Sequence, residues 1–597
     1  MKFHSALLLL STRALITNAE LVTFKVLAVN GIPTLNINNE HHKMEAVPDN
    51  YPLYKISVNV DNFPVNYNYI LNDGEKDKEE KEEFTRQRTK DEYALNEFFG
   101  RSVTIKEHPL LPKAYESFKY ATQSKLFNDN YVATIVIKCD PEKLKSIHTD
   151  VKSKEKIDAE VIYANPYTIK TFKNAKLSLS GQSTVEVPKL SYKIKKLKDD
   201  KNKELFGRSS IKLRAEHMDP SMLREKIYTD VLNTLGVPTP QNTFARLFIN
   251  GEPIGLFDLS DDVKNSRYLR ETFNQGEKYK DNTLNPLFKG SRISSEGLYS
   301  NLGYYGEDVN QPVYSWVYDY KGEDKVLNKT QHIEKELIPF LKEIDDYKTH
   351  KSDNMPLEID TFLRSLAMEF LGGGVDNYWA NPGNFFVYKD AEKNQWFFQD
   401  CDFHYTFGVK WAEKQMLMTP LSKFPPSILE DDKDDKTRPP LDAILEHQEH
   451  KDKLNKIFER ILKTSYHQNA LFPRLESLTN LIREDAHWDV TLTRTNVNPT
   501  HGLQNVYTID DFENEATSEK PDGFSGGYTL RYFIKTKATL LAEELNLTIP
   551  VDYESNLGYY ENLSFNEDED SDRSGSLKTI SINIFTVLIC YLVSILF

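Results

Sequence analysis

Apolar and polar positions alternate with a period of two from the start of the ordered-looking chain. LVTFKVLAVN, LYKISVNV and YNYILN read as short strands parted by Gly, Pro, Asn and Asp turns, which predicts a small all-β sandwich over residues 20–100. The charged run Gly74 to Glu92 that ends it predicts a solvated loop or hinge helix without chemistry, and 101–121 a linker. From about Thr122 the pattern sharpens. YVATIVIKC, AEVIYAN, AKLSLSGQSTVEVPKLSYKIKKLKD and RSSIKLRAE predict further strands, and FARLFINGEPIGLFDLSDDV a hairpin turning at Asn250-Gly251. Between them DPSMLREKIYTDVLNTLGVP predicts a helix from Pro220 to Leu235, capped by Asp219 and ended by Gly236 and Pro238.

Helical spacing dominates the later half. Ile333 to Asp346, Ile359 to Leu371, Leu441 to Leu462, Leu475 to Ile482 and about Thr529 to Leu545 place apolar residues on one face. Among them lies GGGVDNYWANPGNFFVYKDAEKNQWFFQDCDFHYTFG, Gly372 to Gly408, in which two aromatic runs and a polar turn predict a β-hairpin. Asp376 precedes it, and Asp400 and Asp402 close it. Carboxylates gathered this way hold a cation, or cap turns. A β-rich lobe followed by a helical lobe with paired acids predicts an α+β, atypical protein-kinase-like two-lobe fold over residues 122–548, behind the sandwich.

Composition narrows the classes. With 597 residues the chain is too long for one core, and 75 basic against 90 acidic residues, with no basic block, exclude nucleic acid as partner. The 32 Tyr and 33 Phe fit aromatic-rich sheets better than sugar-stacking surfaces. Two carboxylates would also suit a glycoside hydrolase. The scattered His pairs lack the ligand pattern of a zinc site.

The ends predict a surface address. Residues 1–19 read as a signal peptide, 549–576 as an acidic polar stalk, and 577–597 as a GPI-attachment signal with Ser571 or Ser574 as acceptor; the alternative is a tail-anchor helix. Sequons at Asn328, Asn546 and Asn562 agree with secretion. Removal of Cys590 with the tail leaves Cys139 and Cys401, either bridged or as two free thiols.

Two stretches carry a resemblance: IKLRAEHMDPSMLREKIYTDVLNTLGVPTPQNTFARLFINGEPIGLFDLSDD and VDNYWANPGNFFVYKDAEKNQWFFQDCDFHYTFG. They resemble the CotH family of spore-coat protein kinases, and within it the GPI-anchored, surface-displayed CotH-like invasins of mucoralean fungi. The resemblance implies ATP with Mg or Mn as cofactors, and a host-cell surface receptor or a coat or cell-wall protein as partner. It implies Asp376 as the catalytic-loop acid, with Asn384 (or Asn381, at ordinary kinase spacing) and Asp402, helped by Asp400, as metal ligands. Lys189 or Lys193 would meet the phosphates, with Glu225 as the lysine's helix partner; blandly, Arg224, Glu225 and Lys226 are solvent-facing charges.

The chain departs from the family in two places. His404 stands where Asp-x-Asp is usual, and an imidazole is a poor ligand for hard Mg²⁺; the Arg-Gly signature before the lysine is also missing. Two functions therefore stay open: an adhesin or invasin on a kinase scaffold, and an active secretory-pathway kinase.

Overall fold

The computed structural model describes residues 19–72, 79–181, 183–280, 283–409, 414–426, 437–555 and 557–558. The expected leader up to Asn18, the stalk beyond Gly558, the attachment signal and the sequon Asn562 lie outside the described residues.

Near the N-terminus the period-two pattern becomes two facing sheets. Glu20–Leu27 pairs antiparallel with Leu53–Val60, and Ile32–Ile37 with Val65–Asn72. Alternation turns Val22, Phe24 and Val26 inward against Leu35, Ile37, Tyr67 and Tyr69. The charged run beside these strands is not wholly solvated. Arg86 is buried and grips buried Glu82 through Nε (3.0 Å) and Nη2 (2.6 Å), and its Nη2 also donates to Phe98 O and Arg101 O. A buried bidentate pair costs little only when its remaining donors are satisfied, as here by carbonyls.

Seven strands next close into a barrel: Ala133–Cys139, Ile157–Ala164, Ile169–Ser180, Ser191–Lys195, Ser210–Arg214, Glu252–Asp261 and Asn242–Ile249, in that spatial order. Every neighbouring pair is antiparallel except the closing one, Ala133–Cys139 with Asn242–Ile249. Closure leaves no free edge. Inward positions such as Tyr192, Ile194, Ile211, Leu213, Phe257 and Leu259 form the barrel core. The alternate positions Lys193, Lys212 and Arg214 fall on the other face, and Lys193 lies directly opposite Lys212. The hairpin turns at Asn250-Gly251 with φ of 52° and 86°, the left-handed pair a two-residue turn requires. At Gly255 (φ +132°) a Cβ would stand 2.0 Å from Asp489 Oδ1, so only glycine lets the long helix Gln468–Val490 land on the barrel.

The helix after the barrel's fifth strand starts at Arg224, not Pro220, and ends at Thr234. Asp219 is the reason. Its carboxylate accepts from the amides of Ser221, Leu223 and Arg224, and Met222 adopts φ +55°, so residues 220–223 make a turn that the side chain fills. Nearly every residue of the helix is buried, Arg224, Glu225 and Lys226 included, which overturns the solvent-facing reading of that trio.

The rest combines helices with a small antiparallel sheet in the order Tyr318–Tyr320, Leu287–Gly290, Phe385–Asp390, Gln395–Asp400. The last two strands are the expected aromatic hairpin. The pattern from Leu441 to Leu462 is two helices, Pro439–Ile444 and Gln448–Lys463, and that around Leu475 belongs to the longer Gln468–Val490. These helices, with Ile359–Gly372 and Leu530–Glu544, share the largest apolar core with Ile227, Tyr228 and Val231 of the buried helix. The architecture is mixed α+β. No helix of the described residues is long and apolar enough to cross a membrane. Cys139 and Cys401 are free thiols.

Candidate functional site

The segment between helix Ile359–Gly372 and the aromatic hairpin is held by a buried acid and a buried arginine. Gly373 ends the helix at φ +59°, and the chain doubles back. Glu369 Oε2 then accepts from Trp379 N (2.6 Å), and Arg438 donates from Nε to the carbonyls of Tyr378 (3.1 Å) and Trp379 (2.9 Å) and from Nη2 to that of Ala380 (3.1 Å). This fixed loop presents Asp376. Asn384, at φ +52°, donates its amide to Asp376 Oδ2 (2.9 Å) and to the Asp376 carbonyl (3.1 Å), and its side-chain oxygen has no donor among the described residues.

Asp402 leaves the hairpin at φ +75°, a strained position for a side chain with a Cβ. Its carboxylate is bound by the Arg214 guanidinium and by His404 Nδ1 (2.6 Å). Arg214 also lies 3.5 Å from Glu225 and 3.5 Å from Glu216, and Glu225 Oε2 accepts from Phe403 N (2.7 Å). Three carboxylates thus share one guanidinium. Burial would raise the Asp402 carboxyl, but Arg214 and His404 outweigh it and hold it well below the usual range. Glu216 is pushed well above its ordinary value by burial and by Glu225, and Glu225 up by burial, with Arg214 opposing. Asp376 is raised by burial and by the Asp402 charge. The group is short of positive charge.

Among the described residues, Glu225, Asp402 and His404 are the grouping of His, Cys, Asp or Glu whose ligand atoms converge within 4.8 Å. His404 Nδ1 lies between Asp402 and Arg214 Nη2 (3.1 Å), and its Nε2 is buried with no hydrogen-bond partner among the described residues.

Asp376, Asn384, Asp402, His404 and Lys193 line one cavity of about 370 Å³, together with Leu179–Gly181, Arg214, Lys212, Lys264, Lys289 and Lys321. Lys193 is tied to Asp262 (2.5 Å) and Lys321 to Asp319 (3.3 Å), while Lys212, Lys264 and Lys289 have no carboxylate partner among the described residues. Lys264 is pushed down to about 8 by desolvation and by Lys193 and Lys321. Lys193 and Lys212, like charges opposite one another on adjacent strands, repel. The Asp262 carboxylate, held low by both, offsets part of that cost, and a bound anion would offset more. The cavity therefore offers oxygen donors for a hard divalent cation beside ammonium groups for an anion such as phosphate.

Three expected residues sit elsewhere. Lys189 precedes its strand rather than sharing a face with Lys193; it is 1 % exposed, its ammonium spent on Asp489 (2.8 Å) and the Leu256 carbonyl (2.5 Å), and it does not line the cavity. The helix glutamate Glu225 accordingly pairs with Arg214, not with Lys189. Asp400, 2 % exposed, turns away from Asp402 into a buried network, accepting from Asn377 Nδ2 (2.8 Å), Cys401 N (2.9 Å) and Tyr228 OH (3.3 Å), and burial pushes it up to about 8. Asn381 is likewise buried outside the cavity lining.

Residues not expected at the site complete it. Lys212 and Arg214 were readable from the alternation of SIKLR beside SYKIK, and Glu369 from a lone acid inside the apolar run SLAMEFLG. Lys289 and Arg438 carry no local signal.

Similarity to known proteins covers this region. The model of the CotH kinase protein family matches residues 177–516, which include the Leu179–Gly181 loop, Lys193, Lys212, Arg214, Glu225, Asp376, Asn384 and Asp402. Invasin CotH3 of Rhizopus delemar is 25 % identical over 562 residues, 89 % of this chain and 86 % of that protein. Invasin CotH2 of the same fungus is 24 % identical over 473 residues, 76 % and 75 % of the two chains, and invasin CotH7 is 26 % identical over 493 residues, 79 % and 75 %. With more than half of its length matched and the matched span enclosing the cavity, the chain belongs to the CotH kinase family.

Proposed function

We propose that this chain is a surface-displayed, GPI-anchored protein of the invasin type, engaging a host-cell receptor or a coat or wall protein, whose kinase-like region binds ATP with Mg²⁺ or Mn²⁺ in the 370 Å³ cavity. On this reading the barrel and the Glu225 helix form one lobe, the later helices and the four-stranded sheet the other, and residues 20–100 a separate all-β unit. The invasin names of the Rhizopus relatives support the surface role. The observation that carries the nucleotide reading is the meeting of Asp376, Asn384 and Asp402 in one cavity with three ammonium groups that have no carboxylate partner among the described residues.

A bound divalent ion would supply charge neutralisation at the phosphates. Asp402, ionised by its Arg214 and His404 contacts, and the side-chain oxygen of Asn384 would hold it. Lys212, Lys264 and Lys289 would bind phosphate oxygens, and Arg214 positions Asp402. Asp376, its orientation fixed by the Asn384 amide and its carboxyl raised by burial, would accept a hydrogen bond from an acceptor hydroxyl. That last arrangement favours a second reading, an active kinase that phosphorylates surface or coat proteins in the secretory pathway.

The test is thermal unfolding of the purified chain with and without Mg·ATP. A ligand of the native state raises the midpoint by mass action. The shift is expected in the wild type and lost in Asp402→Asn; no wild-type shift overturns the nucleotide reading. Release from cells by phosphatidylinositol-specific phospholipase checks the anchor, and retention on the cell refutes it.

A further inference from the structure

A second, larger concavity of about 820 Å³ adjoins the first and shares Lys264 and Lys321 with it. Lys195, Lys196, Lys198 and Lys325 complete its cationic lining. The facing acids are few: Asp199, Asp262 and Glu323. Asp262 is spent on Lys193 and Ser210, whereas Lys195, Lys196 and Lys264 have no carboxylate partner among the described residues, so the free charge in the bowl is positive. This excess stands out on a chain whose formal net charge is −15. It also has a structural origin. The strand Ser191–Lys195 runs on into Lys196 at φ +58°, and the turn that follows spreads successive lysines along one rim, while Lys321 and Lys325 come from the segment after the edge strand Tyr318–Tyr320.

The bowl has none of the carboxylate and amide ligands of the Asp376–Asn384–Asp402 site, and Asn174, Asn202, Asn265 and Tyr320 stand between its lysines. It suits an extended, hydrated, anionic chain rather than an apolar group. Lys264 and Lys321 belong to both cavities, so a segment lying in the bowl would reach the rim of the cavity that Asp376 and Asp402 line.

We infer that the lysine bowl docks an acidic peptide segment of the acceptor protein, rich in Asp and Glu around a hydroxyl residue, and delivers that residue to the neighbouring cavity. The delivery half rests on the nucleotide reading above; the docking half does not. Lysine charges spaced around an open concavity set the preference for carboxylates and speed the encounter, and added salt weakens both within a Debye length of about 8 to 10 Å.

The probe is a fluorescent peptide carrying one serine between two runs of four glutamates, with a lysine counterpart as control, followed by anisotropy on the full chain. The acidic peptide is expected to bind the wild type more tightly than its counterpart. In Lys195→Glu/Lys196→Glu/Lys325→Glu, which leaves Lys264 and Lys321 in place, its binding is expected to fall by about tenfold or more. The Lys→Gln triple variant should give an intermediate loss, and both should keep the wild-type Mg·ATP shift in unfolding midpoint. Equal binding by the charge-reversed chain, or tighter binding of the lysine peptide, overturns the proposal. Loss of the Mg·ATP shift in the variants also overturns it, since the bowl would then belong to the nucleotide. A wild type with no Mg·ATP shift that still loses the peptide on charge reversal would refute the nucleotide reading and leave the docking surface standing.

Discussion

Glu225 and Lys226 are neighbours on one buried helix, yet they serve two charge clusters built on opposite terms. Around Lys226 the account closes. Its ammonium meets Asp129 (2.9 Å) and Asp230 (2.5 Å), and Arg474 meets the same two acids at 2.6 and 2.8 Å, two cations against two carboxylates. Burial would raise Asp129, but Lys226 and Arg474 outweigh it and hold the carboxyl well below its usual range. Around Glu225 it does not close. Asp402, Glu225 and Glu216 share Arg214, Asp402 and Glu216 sit at positive φ, and the Glu216 Oε2 and His404 Nε2 atoms are buried without partners. The balanced cluster holds elements together; the unbalanced one is strained and open to a ligand. Incomplete pairing next to complete pairing, one residue apart, separates site from scaffold more sharply than burial does.

The largest way to break this contrast is Asp230→Ala. It leaves two buried cations with one carboxylate, and an expected loss of about 3–5 kcal/mol in urea unfolding checks it. At the open cluster, Asp402→Asn removes a charged hydrogen-bond partner but leaves Glu225 and Glu216 beside Arg214, so its cost to the chain's own stability is expected to be about 1.5–3 kcal/mol, less than that of Asp230→Ala, while Mg·ATP affinity drops about a hundredfold, or about 2.7 kcal/mol, in titrations followed by unfolding midpoint. A drop as large as that of Asp230→Ala in ligand-free stability would make the two clusters equivalent. His404→Asp restores an oxygen donor and is expected to strengthen Mg²⁺ over Mn²⁺ dependence by about tenfold, read as the ratio of midpoint shifts with the two metals. The effect of pH is spread over several units and is read as a slope. Burial pushes His148 and His217 down to about 4. Both stay neutral in the folded chain while the unfolded chain protonates near 6.5, so stability is full above about pH 6.5 and falls as pH drops toward 4, by at most about 1.4 kcal/mol per pH unit for each group. His148→Gln should flatten half of that slope.

Strand and hairpin positions were legible because alternation and Asn-Gly turns are local; so were the aromatic hairpin and the acids at its two ends. The charge partners were not. Lys189 and Lys193 share parity in the sequence, but the strand begins at Ser191, and Asp489, three hundred residues on, claims the first lysine. Asp400 and Asp402 also share parity, yet the positive φ of Asp402 turns it toward Arg214 while Asp400 stays in the sheet and faces Tyr228. The Arg224–Glu225–Lys226 trio reads as a surface patch, and its burial depends on five partners in three places, Asp219 with Glu515, Arg214, and Asp129 with Asp230. Only Lys226–Asp230, an i,i+4 pair, leaves a periodic trace.

The Arg438 clamp has a consequence for the order of synthesis. A chain leaves the ribosome N-terminus first, at about 5–20 residues per second, and folds domain by domain as it emerges. The carbonyls of Tyr378, Trp379 and Ala380 wait for an arginine that is made 58 to 60 residues later. Lys189 waits for Asp489, and Arg224 for Glu515. The barrel can close on the nascent chain, but the Asp376 loop is set only after Arg438 has emerged. Chains stopped short of Arg438 would carry every acid of the site and still not hold it in shape.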